Sequence, residues 1–269
     1  MTRLFALGSG SRGNCFALAC NGAVLLIDAG FSAREITRRA QAGGLGLDAV
    51  VGIAITHEHG DHARGAARLA GRLSVPILTA PGTRDRLSAE ARVARHLPLG
   101  FTAQATLGPF TIRACPTSHD AAEPLALAIE TADGAHLGVA YDLGRPTTAV
   151  RYLFRGATAI VLEANHDDIL LRTSGYPPVV QQRIAGSGGH LSNRAAAELL
   201  AELHHPGLEV VVLAHLSQRC NTAADARATV EPALRRAGFR GAVYVAEQDT
   251  PLPPIDLRPM ATLELPLAL

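Results

Sequence analysis

The sequence predicts a layered α/β sandwich, and three observations favour this fold class. Short apolar stretches typical of strands alternate along the chain with amphipathic stretches typical of helices. The strands fall into two runs, one in each half of the chain. Helices are available to cover the outer face of both runs, as a sandwich of sheets between helical layers requires. Since no repeat, low-complexity tract or charge block divides the chain, we expect a single domain over residues 1–269.

The first half of the chain contains four predicted strands and two predicted helices. Three strands come first, at residues 3–7, 15–19 and 23–27. Asn21-Gly22 is a hairpin signal between the second and third. Ser32 has the side chain of an N-cap residue, which predicts a helix through Gln41 that Gly43-Gly44 ends. Residues 50–55 form a continuous apolar run, typical of a strand buried on both faces, and a helix is predicted over 61–73.

The second half repeats this alternation. Strands are predicted at residues 110–115, 125–130, 137–141, 159–163, 208–214 and 241–246. Helices are predicted at residues 146–154, 177–184, 193–203 and 223–237. The tail from about residue 251 is rich in proline, so we expect it to lie on the surface.

Composition excludes some classes of protein and leaves others open. The chain is 48% hydrophobic, enough for a substantial core, and its 25 basic residues, all arginine, nearly balance 24 acidic ones. A net charge of +1 demands neither a nucleic acid nor an anionic membrane as partner.

The N-terminus lacks the pattern of a signal peptide and no apolar run is long enough to span a membrane, so we expect a cytoplasmic protein. The cysteines form no C-x-x-C pair and are expected as free thiols, although a Cys15–Cys20 disulfide stays open.

Four side chains that can bind metal are crowded into six residues: His57, His59, Asp61 and His62. They follow a predicted buried strand and precede a helix, and such a turn lets all four point into one cleft. Imidazole and carboxylate together suit Zn, Mn or Fe. Because the cluster contains no cysteine, it differs from a closed structural zinc site and should leave room for water or substrate. The alternative, a surface loop that carries histidines by chance, does not account for the H-x-H-x-D-H spacing.

The segment from Thr56 to His62 resembles the signature of the metallo-β-lactamase superfamily. Four further motifs of that superfamily follow the expected order: Asp28 in L-I-D-A-G, His119 in T-S-H-D, Asp142 in A-Y-D-L-G and His215 in L-A-H-L-S. The resemblance implies the metallo-β-lactamase fold, a four-layer αββα sandwich.

The same resemblance implies two divalent metal ions, Zn or Mn, with Fe also possible. One ion would be held by His57, His59 and His119, and the other by Asp61, His62 and His215. Asp142 would bridge the ions, and Asp28 would support the metal loop without binding metal. A hydroxide shared by the two ions would be the nucleophile, and the ions would stabilise the charge that develops on the attacked group.

Additional segments resemble the YycJ/WalJ branch of the superfamily, whose members are similar to 5′→3′ DNA exonucleases. These segments are S-G-S-R-G-N-C at 9–15, E-A-N-H-D at 163–167, G-Y-P at 175–177 and G-G-H-L-S-N at 188–193. Ala164 stands where the branch is expected to have serine. The likeness extends over nearly the whole chain, to about residue 246.

These segments supply the remaining candidate site residues. Asp61, His166 and His190 are candidate catalytic residues, although each histidine could instead be a core residue. Candidate phosphate-binding residues are Ser11, Asn14, Ser192 and Asn193. The first two lie in a loop that could be a simple tight turn, and the last two could simply cap a helix. Candidate backbone contacts are Arg12, Arg183, Arg194 and Arg219. Cys220 and Asn221 could line the site or only pack.

The resulting prediction is a two-metal phosphodiesterase that acts on DNA, as a 5′→3′ exonuclease. The small net charge keeps open a hydrolase of a small thioester, lactone or cyclic phosphate. More distant alternatives are a di-iron redox protein and a non-catalytic binding protein. DNA is the expected partner, and no segment indicates membrane association or an obligate protein partner.

Overall fold

The computed structural model describes residues 1–92, 94–101 and 103–259, and these residues contain two seven-stranded sheets. The first sheet consists of β1 (Thr2–Gly8), β2 (Cys15–Cys20), β3 (Ala23–Ile27), β4 (Val50–Ala54), β5 (Ile77–Thr79), β6 (His96–Pro98) and, at the end of the described chain, β14 (Ile255–Leu257). The second consists of β7 (Ala105–Leu107), β8 (Phe110–Pro116), β9 (Leu125–Thr131), β10 (His136–Ala140), β11 (Ala159–Glu163), β12 (Val210–Ala214) and β13 (Ala242–Val245).

Both sheets are mixed. The strand order is β14-β1-β2-β3-β4-β5-β6 in the first sheet and β13-β12-β11-β10-β9-β8-β7 in the second. Strands β3 to β6 run parallel, and so do β10 to β13, whereas the remaining neighbours are antiparallel. The parallel half of each sheet lies buried beneath helices, as expected for β-α-β connections.

Helices cover the outer faces of the two sheets. They are α1 (Ala33–Ala42), α2 (Gly60–Ala63), α3 (Ala66–Leu73), α4 (Pro81–Arg86), α5 (Ala89–Arg92), α6 (Thr148–Leu153), α7 (Asp168–Thr173), α8 (Pro178–Ala185), α9 (Asn193–Leu203) and α10 (Ala223–Arg236). Apolar residues of α1 and α3 pack on the first sheet, and those of α6, α9 and α10 pack on the second. A third core, with Phe16 and Val161 among its members, fills the space between the sheets. The four-layer αββα sandwich is therefore confirmed.

Local signals fixed several element boundaries. Ser32 accepts a hydrogen bond from Glu35 N as the N-cap of α1, and Gly43 follows the last residue of that helix. Asn21 and Gly22 adopt positive φ angles of 48° and 77°, as a tight hairpin requires. The two central positions of the turn thus account for the sharp reversal between β2 and β3.

One prediction about an element is wrong and another is incomplete, and tertiary contacts explain both. The helix predicted over 61–73 is broken into α2 and α3, because Asp61 O accepts from Asn14 N and Gly65 N–H donates to Ala29 O instead. Most of residues 251–259 are exposed or half-buried, in line with the predicted surface tail, but Ile255–Leu257 pairs with β1 and its two apolar side chains are buried. Residues 260–269 of the tail lie outside the described part.

No helix in the described ranges is both long enough and apolar enough to cross a membrane. All four cysteines are buried and free, so the Cys15–Cys20 disulfide that the sequence left open does not form. Both residues lie on β2, at its two ends.

Candidate metal centre

The candidate site lies where parallel strands of both sheets end. Asp28 follows β3, His57 follows β4, Asp142 follows β10 and His215 follows β12. Carboxyl ends of parallel strands are where open α/β sheets bind their ligands. Asp28, Asp142 and His215 have positive φ angles of 57°, 56° and 55°, a left-handed conformation that non-glycine residues rarely adopt. These strained turns redirect the chain at the strand ends, and such strain is typical of functional sites.

The structure brings together all seven side chains predicted as metal ligands. They form overlapping groups in which the candidate ligand atoms lie within 4.8 Å of one another: His57, His59 and His119; Asp61, His62 and His215; His57, His62 and Asp142; and Asp142, Glu163, His190 and His215. The first two groups coincide with the two ligand sets implied by the sequence resemblance. Asp142 belongs to the third and fourth groups and so lies next to both sets.

Asp28 lies behind this cluster and fixes the ring of His62. Its carboxylate accepts from Thr56 N and Thr56 Oγ1, both at 2.8 Å, and lies 2.6 Å from His62 Nδ1. With the ring proton on Nδ1 in this contact, His62 directs the lone pair of Nε2 towards the cluster. Asp28 is fully buried and belongs to none of the ligand groups, so support of the metal loop remains its proposed role.

Three further histidines are oriented in the same way by an acceptor behind Nδ1. Thr56 Oγ1, which gives its proton to Asp28, lies 3.1 Å from His57 Nδ1. Gly189 O lies 3.1 Å from His119 Nδ1, and Glu163 Oε1 lies 3.0 Å from His215 Nδ1. Each Nε2 is thereby left with a lone pair for a metal ion.

The contacts of Asp142 show whether the clustered residues fit a metal ion. Its Oδ2 lies 2.8 Å from His62 Nε2, yet it has no hydrogen-bond partner of acceptable geometry among the described residues. His57 Nε2 and His119 Nε2 similarly lie 3.1 Å and 3.3 Å from His59 Nδ1. Lone-pair atoms that crowd together without protons between them are expected around a cation, so the residues fit divalent metal.

The electrostatics of the cluster also require positive charge. Burial opposes ionisation of Asp142, but His215 and His62 hold its pKa well below the usual range. Burial by itself would lower the pKa of His215, whereas Asp142, Asp61 and Glu163 raise it to about 9. These shifts describe buried carboxylates that retain cationic partners. A divalent cation can replace the protons on such a cluster, and proton release then accompanies metal binding.

Glu163 is a site residue that the sequence reasoning did not select. It is fully buried at the last position of β11, and its Oε1 lies 2.8 Å from His190 Nδ1 as well as 3.0 Å from His215 Nδ1. Its Oε2 accepts from Leu143 N and Leu191 N. Burial opposes ionisation of Glu163, but His190 lowers its pKa to about 2. A carboxylate that ends an otherwise apolar buried strand was the signal that could have identified it.

The two candidate catalytic histidines have different surroundings. His190 lies at the edge of the cluster, with 24% of its side chain exposed and Nδ1 held by Glu163. Burial by itself would lower the pKa of His190, but Glu163 and Asp142 raise it to about 10. His166 is buried, belongs to none of the ligand groups and pairs with Ser192 in an isolated bridge. Burial lowers the pKa of His166.

The four predicted phosphate-binding residues are placed differently. Ser11 is exposed in the loop between β1 and β2, whereas Asn14 is buried there and accepts from Gly10 N and Ser9 Oγ. Ser192 is the N-cap of α9, and Asn193 exchanges hydrogen bonds with Asn221. Thus Ser11 alone of these four is exposed, and the other three have hydrogen-bond partners within the protein.

The arginines chosen from the sequence already have partners within the protein. Arg12 pairs with Asp249, Arg183 with Asp120, and Arg194 with Asp168 and Glu198. Arg219 donates to Ser174 O and stacks on the ring of Tyr176. Cys220 and Asn221 are both buried.

Comparisons with known proteins agree with this geometry. A family model described as "Beta-lactamase superfamily domain" matches residues 24–216. Exodeoxyribonuclease YycJ of Bacillus anthracis is 31% identical over 236 residues, which cover 87% of this chain and 89% of the relative. Exodeoxyribonuclease WalJ of Streptococcus pneumoniae (serotype 2, strain D39) is 30% identical over 258 residues, which cover 92% of this chain and 95% of the relative.

A solved structure supports the fold. The metallo-beta-lactamase fold protein YhfI from Bacillus subtilis superposes with a TM-score of 0.71 at 17% identity, covering 94% of this chain and 99% of the other. The residues matched by the family model include the whole range from Asp28 to His215. Taken with the metal-binding geometry, these likenesses make the protein a metal-dependent hydrolase. The chain belongs to the metallo-β-lactamase superfamily, in the branch that contains the YycJ and WalJ exodeoxyribonucleases.

Proposed function

We propose that this hydrolase is a two-metal phosphodiesterase that degrades DNA as a 5′→3′ exonuclease. The observation that carries the proposal is the division of the candidate ligands into two sets that both adjoin Asp142. The relatives named exodeoxyribonucleases support DNA as the substrate. The polarity rests on the resemblance of segments 163–167 and 188–193 to the exonuclease branch.

The donor set suits two divalent ions, and Zn and Mn fit it, with Fe as a further option. His57, His59 and His119 would hold one ion, Asp61, His62 and His215 would hold the other, and Asp142 would contact both. When bound, such ions lower the pKa of a water molecule and stabilise the negative charge that builds up on a phosphate.

We assign proton donation to the leaving oxygen to His190 rather than to His166. The His190 side chain is 24% exposed at the edge of the cluster, and its contact with Glu163 holds the ring through Nδ1. Nε2 is therefore the atom that would give up a proton. His166 is almost fully buried and supports the turn that begins α9. Of the predicted phosphate-binding residues, Ser11 has the exposure needed to contact substrate.

We also propose that the protein acts in the cytoplasm. All four cysteines are free thiols, as is typical of a reducing compartment.

The test is a nuclease assay on 5′-labelled and 3′-labelled single-stranded and double-stranded DNA, with Zn or Mn restored to metal-stripped protein. Asp142→Asn should reduce cleavage by at least about 100-fold, because the amide loses the charge that serves both ligand sets. The matched control is Asp133→Asn. Asp133 is also hydrogen-bonded, to Thr2 and Thr131, but it lies in the turn between β9 and β10, at the end of these strands remote from Asp142.

A wild-type protein that releases labelled mononucleotides from 5′ ends, with the control equally active, is the expected result. Failure of the metal-loaded wild type to cut any of the four DNA substrates would contradict the proposal. So would cleavage that Asp142→Asn leaves unchanged. A thioester and a cyclic phosphate tested in parallel would then identify a small-molecule hydrolase.

A further inference from the structure

A basic groove runs between α1 and α3 on the outer face of the first sheet. It has a volume of about 670 Å³, and four arginines line it: Arg34, Arg38, Arg68 and Arg72. We propose that this groove binds the phosphodiester backbone of the DNA strand whose end lies at the metal centre. The inference rests on the proposed function, since it assigns a binding surface to the same substrate.

The topology connects the groove to the metal centre. α1 begins at Ala33, shortly after Asp28, and α3 begins at Ala66, shortly after His62. Because β3 and β4 both end at the metal cluster, both helices start at that edge of the sandwich and run away from it. The groove between them therefore begins beside the metal centre and continues down the outer face.

The spacing of the arginines follows the helix surface. Arg34 and Arg38 are four residues apart on α1, as are Arg68 and Arg72 on α3, which places each pair about 6 Å apart along its helix axis. Arg64, which is exposed just after the end of α2, adds a further guanidinium ahead of α3. The separation of about 6 Å within each pair corresponds to about two phosphate spacings of one strand.

The charge of the groove is weakly compensated. Within the described residues, no carboxylate lies at ion-pair distance from Arg34, Arg64 or Arg68, in contrast to the arginines nearer the metal-site loops. Arg38 pairs with Glu35, and Arg72 donates to Thr37 Oγ1 at 2.9 Å. Four positive charges thus face one negative charge in a chain whose net charge is only +1. Guanidinium groups free of carboxylates are suited to phosphate, which they can contact bidentately.

The test compares two double variants of the metal-loaded protein. Arg34→Gln/Arg68→Gln removes one uncompensated arginine from each side of the groove. The control, Arg155→Gln/Arg236→Gln, removes two exposed arginines that have no carboxylate partner among the described residues; Arg155 follows α6 and Arg236 ends α10, both of which pack on the second sheet. Binding of a phosphorothioate-linked single strand of about 30 nucleotides is measured by fluorescence anisotropy over a series of salt concentrations, a dependence that reports phosphate contacts.

We expect the groove variant to bind the strand about tenfold more weakly or worse. The slope of log K against log salt concentration should fall by about 1.4, since each phosphate contact to a single strand contributes about 0.7. The control should keep the wild-type slope. Hydrolysis of bis(p-nitrophenyl) phosphate, which is too small to reach along the groove, should match wild type in both variants and show that the metal centre is intact.

The outcomes separate this inference from the proposed function. An unchanged slope in the groove variant, or an equal loss in the control, would overturn the inference even if the wild type cuts DNA. A wild type that does not cut DNA, but whose binding to the strand still depends on Arg34 and Arg68, would refute only the proposed function. A further contrary outcome is a groove variant that loses binding to phosphatidylserine–phosphatidylcholine vesicles while it binds DNA as wild type does. That result would assign the surface to a membrane and overturn the inference.

Discussion

At the scale of single residues, the centre depends on the atoms behind the histidine ligands. Asp28, Thr56, Gly189 and Glu163 each place an oxygen at the Nδ1 of a ring. These acceptors determine which nitrogen carries the proton, so the opposite nitrogen is available to metal. A histidine-rich loop becomes a metal site through such contacts, because a freely rotating imidazole would present either nitrogen.

Replacing Asp28 with asparagine tests this at one residue. Asparagine tolerates the left-handed backbone of Asp28 but provides no carboxylate for His62 Nδ1 and Thr56. We expect the affinity for metal to fall by about 10- to 100-fold. Competition with a chromophoric chelator measures this, and thermal unfolding with excess chelator checks that the metal-free fold is intact. Wild-type affinity for metal in a folded Asp28→Asn protein would show that Asp28 does not support the metal loop.

The predicted metal ligands are residues whose function is indicated by their neighbours in sequence, whereas the function of Glu163 depends on residues that are distant in sequence. His57, His59, Asp61 and His62 are adjacent in sequence, so their spacing alone indicated metal chemistry. Glu163 acquires its importance from His190 and His215, which lie 27 and 52 positions further along the chain. The sequence shows the carboxylate at the strand end but not its partners: pairing of β11 with β12 brings His215 to Glu163, and the hydrogen bond from Asn165 N to Leu191 O brings the segment that carries His190.

At the scale of elements, capping and turn signals predicted helix starts and turns well, whereas very short strands could not be predicted. The N-cap Ser32 and the hairpin Asn21-Gly22 predicted where α1 and the β2–β3 turn lie, because both signals act through neighbouring backbone groups. The short strands β5, β6 and β7 have only three residues each, too few to show an alternating pattern. The break between α2 and α3 depends on Ala29, which is distant in sequence.

The stability contributed by α1 should depend on pH through Glu35. Its hydrogen bonds to Arg38 and Arg39 lower the pKa of Glu35 from 4.5 to about 2. A carboxyl group with a lowered pKa stabilises the fold above its unfolded value and loses this contribution as pH falls from 4.5 towards 2. Because the side chain is 31% exposed, we expect Glu35→Gln to reduce the free energy of unfolding by only about 1 kcal/mol at neutral pH.

Urea unfolding at neutral pH and near pH 3 measures this difference between wild type and variant. The difference should shrink at the lower pH, where Glu35 is mostly protonated in the unfolded chain but still mostly ionised in the folded protein. Glu198→Gln is the control, because Glu198 also pairs with an arginine in its helix but is 66% exposed. A Glu35→Gln difference that stays constant or grows on acidification would contradict the assignment.

At the scale of the whole molecule, each proposed metal would connect the two sheets. His57 and His59 follow β4 of the first sheet, whereas His119 follows β8 of the second. The other set has the same division, with Asp61 and His62 from the first sheet and His215 from the second. The sequence predicted the layers and the residues, but only the packing of one sheet on the other shows that every ligand set draws on both.

The central claim, two ions held by two separable ligand sets, is tested most directly by counting metal. Elemental analysis of purified protein after metal loading and gel filtration should give two ions per chain for wild type. His119→Gln and His215→Gln, each of which removes a ligand from one set, should each retain one ion, and the double variant should retain none. A wild type with a single ion, lost completely in both single variants, would contradict the account.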